Sequence, residues 1–444
     1  MPGFFARAIE LTAGALMPAF LLFTGVCFAV RYRAFWILHP IRFCRTLRES
    51  TGGKTSSFRA LTVALAGTLG VGNIAGVATA ITAGGAGAVF WMWAGALVAM
   101  SAKYAESSLA VQYRQTEKSV AGERHFGGMM YVIRDGLGKK IGRRAALVLG
   151  GVFAALCLLN SLLTGTVVQV NAAASVYESV PPLLTGAFFA VLALFVNLGG
   201  GKRLSAVTGV LIPVLSAAYL VLSTFIIIRN IGAVPGIFTR IVREAFSTEA
   251  IGGGLLGTVM AQSIRYGVTR GIFSNEAGCG TSPTAHAAAD AKSAHHQGCY
   301  GIFEVFIDTI VLCTATALVI LLAGEEGAGL DGIPLSMASY GALAGELARQ
   351  IIGISVILFA FATVICQHYY GEIAIGYFTR SRVPVRVYTV LMSAACIVGA
   401  VVSPDRVWLA ADAIISLMVI INLACLWGLR KGCFCKSTPL PRKT

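Results

Sequence analysis

The sequence predicts an all-α polytopic membrane protein of eleven transmembrane helices, one extra N-terminal helix followed by a five-plus-five inverted repeat with broken helices. Three observations carry that prediction. Of 444 residues, 56% are hydrophobic and only 12% charged, about half of the ~25% charged share of a soluble domain. Too little polar surface remains to cover a water-soluble globule of this size. Eleven apolar segments are also long enough, at about 20 residues, to cross hydrocarbon as helices. Finally, two of these segments are interrupted by glycine and polar residues, at corresponding positions in two successive sets of five.

In chain order the spans are expected at 9–30, 58–82, 88–112, 145–173, 181–198, 204–228, 252–275, 299–323, 348–378, 384–402 and 408–429. The first runs to Arg31 without a small-residue cleavage site, so it reads as a membrane anchor rather than a signal peptide. The loop after it holds Arg31, Arg33, Arg42, Arg45, Arg48, Lys54 and Arg59. The loop after the third span holds eight basic residues from Arg114 to Arg144, and the tail adds Arg430, Lys431, Lys436, Arg442 and Lys443. If the spans alternate, all of these lie on one side. The opposite segments 83–87 and 174–182 carry no Lys or Arg, and 324–346 carries Glu325, Glu326, Asp331 and Glu346. The positive-inside rule then puts the N-terminus outside and the C-terminus in the cytoplasm, as expected of a multi-pass protein of a bacterial inner membrane.

The division expected is a first helix and basic loop (1–57), a core (58–429) and a basic tail (430–444). Within the core, 58–228 and 251–429 are the two five-helix repeats. Between them "VPGIFTRIVREAF" in 229–250 mixes apolar and charged residues as an amphipathic outer surface helix does. The formal charge of +15 is thus topological, and nucleic acid is not an expected partner. Most of the eleven cysteines, such as Cys157, Cys313, Cys396 and Cys425, lie in apolar runs, where a thiol acts as a small hydrophobe. No zinc spacing, HExxH, nucleophile elbow or Walker pattern occurs, so neither enzyme activity nor a cofactor is expected.

The first interruption lies in "GTLGVGNIAGVATAITAGGAG", Gly67 to Gly87. A dinucleotide loop is excluded, because no strand precedes it and Gly76 follows Gly72 by four residues rather than three. Close helix packing through the small pair Gly72 and Gly76 is the plain alternative. The second interruption, in Gly252 to Asp290, changes that balance. Paired broken helices in inverted repeats mark the binding site of a secondary transporter, since a break frees N–H groups for an anion and carbonyls for a cation. Such backbone survives at membrane depth only where protein or a water-filled cavity surrounds it.

The segments "GVGNIAGVATAI", "GAGAVFWMWAGALVAMSAKYAE", "RGIFSNEAGCGTSPTAHAAA", "FIDTIVLCTATALVIL" and "FAFATVICQHYYGE" resemble the alanine or glycine:cation symporter family, in order, from about Ser57 to Leu429. The resemblance implies a leucine-transporter-type fold. It also implies uptake of small neutral amino acids, chiefly alanine or glycine, with sodium or protons by alternating access. Departures from the family pattern are Arg59 for glutamine, Val71 for threonine, Ala86 and Met129 for prolines, Ala362 for serine and Gln367 for tryptophan. Those at Val71, Ala362 and Gln367 keep open proton coupling or a different small amino-acid-like substrate. A channel or a membrane enzyme is disfavoured, as no filter, charged ring or catalytic constellation is evident.

The expected substrate-binding residues are Gly70, Gly72, Asn73, Gln169, Phe273, Ser274 and Asn275; the expected cation ligands are Gly67, Gly70, Asn73 and Thr363. Gly70 and Gly72 expose backbone, and Asn73 offers an amide to a zwitterion or recaps the freed backbone. Gln169, favoured by the resemblance, and Asn171 are about 200° apart on a helix, so only one faces a given ligand. Phe273 would limit side-chain size. Thr363 is the favoured hydroxyl for sodium, with a bond to its own helix's carbonyl as the alternative. Asp308 reads as a scaffold carboxylate, Glu276 and Arg270 as an ion pair or cap, and Lys103 and Glu106 as an interfacial pair.

Overall fold

The structure is a computed structural model that describes residues 11–48, 56–119, 122–247 and 259–432. Helix α1 (Thr12–Arg31) and the short, basic α2 (Pro40–Arg48) precede the first broken span. That span is α3 (Ser57–Thr68) and α4 (Ala75–Gly84), separated by the tight turn Val71–Asn73. Next come α5 (Gly87–Gln112), α6 (Arg143–Ala174), α7 (Pro182–Asn197) and α8 (Gly200–Arg229), with α9 (Val234–Ala245) after them. The second half runs through α10 (Val259–Asn275), α11 (Pro283–Ala287), α12 (Ala294–Ala323), α13 (Gly332–Phe378), α14 (Arg382–Val401) and α15 (Pro404–Leu429).

Local chemistry sets several of these ends. The hydroxyls of Ser56 and Ser381 and the carboxylate of Asp331 accept backbone N–H bonds at the starts of α3, α14 and α13. Proline opens α7 and α15, where its missing N–H costs nothing. Two expectations change. The all-α class gains a small antiparallel hairpin, β1 (Gln115–Ser119) with β2 (Gly122–Phe126), inside the basic loop. Its flank is tied down where Arg114 donates to the Ala289 carbonyl at 2.5 Å. The acidic segment 324–346 is largely helical, because α13 starts at Gly332 and runs into the ninth predicted span through a kink at Gly345 (φ 82°).

Among the described residues seven helices are long and apolar enough to cross a membrane: α1, α6, the Arg203–Arg229 part of α8, α12, α13, α14 and the Arg406–Leu429 part of α15. The pair α3 and α4, bent by 63°, makes an eighth. The remaining predicted spans also coincide with helices but fall short for evident reasons. α7 is apolar but has 16 residues, and α5 carries Lys103 and Glu106. α10 carries Arg265 and Arg270, and the start of its predicted span lies outside the described residues.

Helix α5 is the central strut, with α10 and α12 packed along its length and α1 and α9 against other faces. Glu244 of α9 accepts the Ala86 N–H at 2.7 Å and so caps the start of α5, while Trp91 donates to the Ala245 carbonyl at 3.0 Å. The α5–α10 approach needs a bare backbone at Gly267, where a Cβ would lie 2.3 Å from the Ala88 carbonyl oxygen. Gly267→Val is expected to destabilise the protein by at least the ~1–3 kcal/mol typical of overpacking. Gly76→Ala, where a Cβ would meet nothing within 4 Å, should leave stability unchanged. Thermal unfolding of the detergent-purified variants, followed by size-exclusion chromatography, checks both.

Candidate functional site at the broken helices

Helix α3 stops because the ladder is broken at Gly70, which is extended (φ −119°, ψ −152°). Its N–H turns back to the Thr68 carbonyl at 2.8 Å. The next N–H, that of Val71, would serve the Gly67 carbonyl in a continuous helix; here it donates to Gln169 Oε1 at 3.1 Å. Carbonyls beyond the turn are held by hydroxyls, Asn73 by Thr316 at 2.7 Å and Ile74 by Ser336 at 3.3 Å. Side chains of α6, α12 and α13 thus replace the lost rungs, as a dry interior requires. The break sits beside open space: Gly76 is buried, yet a Cβ there meets no atom within 4 Å. Gly76 therefore makes no close helix contact. Gly72 does, with its Cβ direction 3.0 Å from the Ser274 Cα.

Two polar groups flank the turn. On one side, a Cβ at Gly70 would lie 2.6 Å from Gln169 Oε1 and 2.7 Å from Thr363 Oγ1, so the bare backbone touches both side chains. Thr363 donates to the Phe359 carbonyl at 3.1 Å, which leaves its oxygen lone pairs for another partner. Gly67 lies on the same helix end, close to Tyr370 and Cys366. Asn171 turns the other way, donating to the carbonyls of Gly399 and Val402 at 2.9 and 2.7 Å.

On the other side, Asn73 Nδ2 donates to Asp308 Oδ1 at 2.8 Å, and the second Asp308 oxygen accepts from Ser274 at 2.9 Å and Thr309 at 2.8 Å. Asn73 Oδ1 is buried without a hydrogen-bond partner. Of the four proposed cation ligands, Gly70 meets Thr363, Gly67 lies one turn earlier on the same helix, and Asn73 directs its amide nitrogen to Asp308. Asn275 donates to Thr309 at 2.9 Å and accepts the Ala277 N–H at 2.9 Å, a helix-ending role. Phe273 packs 3.2 Å from the Gly72 Cβ direction and 4.6 Å, ring to ring, from Trp408. The second break follows at once: Glu276 is left-handed (φ 49°), as are Gly278 and Gly280.

Residues 4–437 match the sodium:alanine symporter family. The chain belongs to that family. It is 37% identical to the sodium/alanine symporter AgcS of Methanococcus maripaludis over 92% of this chain and 90% of that protein. It is 34% identical to the probable sodium/glutamine symporter GlnT of Bacillus subtilis, over 96% and 88%. A crystal structure of a manganese transporter from Eremococcus coleocola superimposes with a TM-score of 0.54 at 14% identity, over 83% of this chain and 76% of that one, a likeness of fold. This sodium:alanine symporter family member is thus a multi-pass membrane transporter with broken helices rather than an enzyme, in a family that couples a cation to amino-acid movement.

The family member's charged interior differs from the sequence reading. Lys103 and Glu106 are not an interfacial pair; both are fully buried and they bind different partners. Lys103 holds Glu304 at 3.1 Å and the Asn275 carbonyl, the last of α10, at 3.0 Å. Glu304 also binds His286 at 2.8 Å, and His286 in turn binds Gln297 at 2.7 Å. Glu106 accepts from Asn422. Arg270 pairs with Asp412 at 3.2 Å over the Trp408 ring, whereas Glu276 is held by Thr281 and by Gln367, the latter at 2.9 Å. Glu304 was missed as a site residue, although it lies four residues before Asp308, on the same helix face. Lys103→Met would strand Glu304 without its cation. Breaking a buried pair in this way costs about 3–5 kcal/mol, so a lower unfolding temperature in detergent is expected.

Proposed function

We propose that this protein carries a small neutral amino acid, alanine or glycine, into the cell together with sodium by alternating access. In this reading eleven spans cross a bacterial inner membrane, N-terminus outside and C-terminus in the cytoplasm. Residues 58–228 and 251–429 form inverted repeats. The observation that carries the reading is the break at Gly70–Asn73, with hard oxygen ligands on one side and backbone amides on the other. The C-terminal end of α3 is the negative end of a helix dipole, and its carbonyls with Thr363 Oγ1 suit a sodium ion. The start of α4 is a positive end, suited to a carboxylate. Gly72 gives the amino acid a bare backbone, Asn73 and Ser274 offer it polar groups on the Asp308 side with Gln169 across the turn, and Phe273 backed by Trp408 restricts its side chain.

Sodium at α3 would order the turn and complete the amino-acid pocket. The loaded carrier then favours occluded and inward-open states by as much as its ligands bind those states better. A larger substrate is the second reading, favoured by the similarity to a probable sodium/glutamine symporter. The restriction at Phe273 argues for the smaller one.

Purified protein in liposomes is expected to accumulate labelled alanine or glycine under an inward sodium gradient, and to stop when choline replaces sodium at either of two pH values. Uptake that follows the pH gradient instead would assign the coupling to protons, and uptake indifferent to both would end the symport reading. Competition by glutamine equal to that by alanine would favour the larger substrate. Gly70→Ala is expected to remain folded but to lose sodium-dependent alanine binding, because the new methyl collides with the Gln169 and Thr363 side-chain oxygens and pushes them from the site. Scintillation proximity binding with and without sodium measures this.

A further inference from the structure

A cavity of about 610 Å³ opens at the basic rim of the molecule, lined by Arg134, Asp135, Gly138, Lys139, Arg143 and Leu147. Its charges are unbalanced. Asp135 is already engaged by Arg134 in a two-pronged pair at 2.7 and 2.8 Å and by Gln115 at 3.0 Å. The Arg134 guanidinium is further fixed over the Tyr131 ring, 5.0 Å from its centre. Among the described residues no counter-charge meets Lys139 or Arg143, and both are exposed. Helix α6 begins at Arg143 and Arg144, after Gly142, with neither a side-chain cap nor an acidic residue in its first turn. Two cations therefore stand at the positive end of a helix dipole, an arrangement that an anion relieves.

At Leu147 the cavity meets the exposed apolar surface of α6. Leu147 closes it and leads along α6 to Val148 and Val152, which are 41%, 68% and 46% exposed respectively. The Phe378 ring stands 3.4 Å from the Cβ direction of Gly151 on the same helix. We propose that this cavity binds an anionic phospholipid, its phosphate between Lys139 and Arg143 and an acyl chain along Leu147, Val148 and Val152. A free anion would use only the cationic half, and a zwitterionic lipid would bring no net charge to the unpaired cations. The site also reaches the transport core. Tyr377, whose hydroxyl donates to the Leu147 carbonyl at 3.0 Å, belongs to α13, the helix that carries Thr363 and Gln367.

Native mass spectrometry of the purified protein, titrated with phosphatidylglycerol or phosphatidylcholine, tests this independently of the transported substrate. Preferential retention of phosphatidylglycerol is expected, about 10-fold weaker in the double variant Lys139→Gln/Arg143→Gln. The charge-matched control Arg42→Gln/Arg45→Gln, on α2, should retain it as the unmodified protein does. Equal loss in both double variants would reduce the effect to general surface attraction and overturn the site, as would equal retention of the two lipids. Glycerol phosphate displacing the lipid at equal concentration would also overturn it, by showing that the apolar half contributes nothing. All four substituted side chains lie at exposed or half-exposed positions, and an unchanged size-exclusion profile confirms that the variants are folded.

Discussion

The backbone at Gly70 and Val71 leaves its helical ladder inside the protein, where its neighbours are buried side chains. Each buried, unpaired amide or carbonyl there would cost several kcal/mol. That requirement explains why three other helices send polar side chains to one short turn. Gln169 takes the Val71 N–H, Thr316 the Asn73 carbonyl and Ser336 the Ile74 carbonyl. None of these side chains would be favoured in a membrane span for its own sake. Tyr219 bonds Thr316, and Tyr340 bonds both Tyr219 and Ser223, so the demand spreads outward to α8 and the first part of α13. The same reasoning covers the π-type turns at Leu163–Val167 and Phe306–Cys313. Each widens its helix close to where it supplies Gln169 or Asp308.

Lys103 answers the corresponding problem at the second break. Helix α10 ends in the interior at Asn275, and its last carbonyl receives an ammonium instead of water. A lone buried ammonium would itself be costly, so Glu304 neutralises it, and His286, held in turn by Gln297, occupies the far side of that carboxylate. The chain of contacts joins α5, α10, α11 and α12, the elements around the second interruption. A polar network of this kind contributes less to net stability than its short distances suggest. It holds one arrangement of four helices against alternatives that would leave a charge uncovered.

Much of this architecture was legible in the sequence because lipid is an exacting solvent. Apolar length located the helices, and the glycines located the break at Gly70–Asn73. Gly70, Gln169 and Thr363, far apart in the chain, do converge in space. Partnerships were less legible. Lys103 sits within three residues of Glu106, and a local pair was the natural reading, yet its partner Glu304 lies two hundred residues away. Helical spacing tells which residues share a face but not which distant helix lies opposite. Arg270 failed in the same way, choosing Asp412 on α15 over its sequence neighbour Glu276. The hairpin at 115–126 escaped because hydropathy reading treats a polar loop as unstructured.

The two polar groups beside the break are joined by only three residues of backbone. Gly70 touches Thr363 and Gln169 on one side, and Asn73 holds Asp308 on the other. Between them the chain has little freedom, because the Val71 N–H and the Asn73 carbonyl are both tied down. A ligand that fixes either side therefore limits the conformations open to the other. The ordering cost met by the first ligand need not be met again by the second. Under the proposed function this would be positive coupling between two sites without a large movement, and thermodynamics would make it reciprocal. A cation at the end of α3 and an amino acid at the start of α4 would strengthen each other by the same factor. On this view the broken helix is the element that makes the two binding events one.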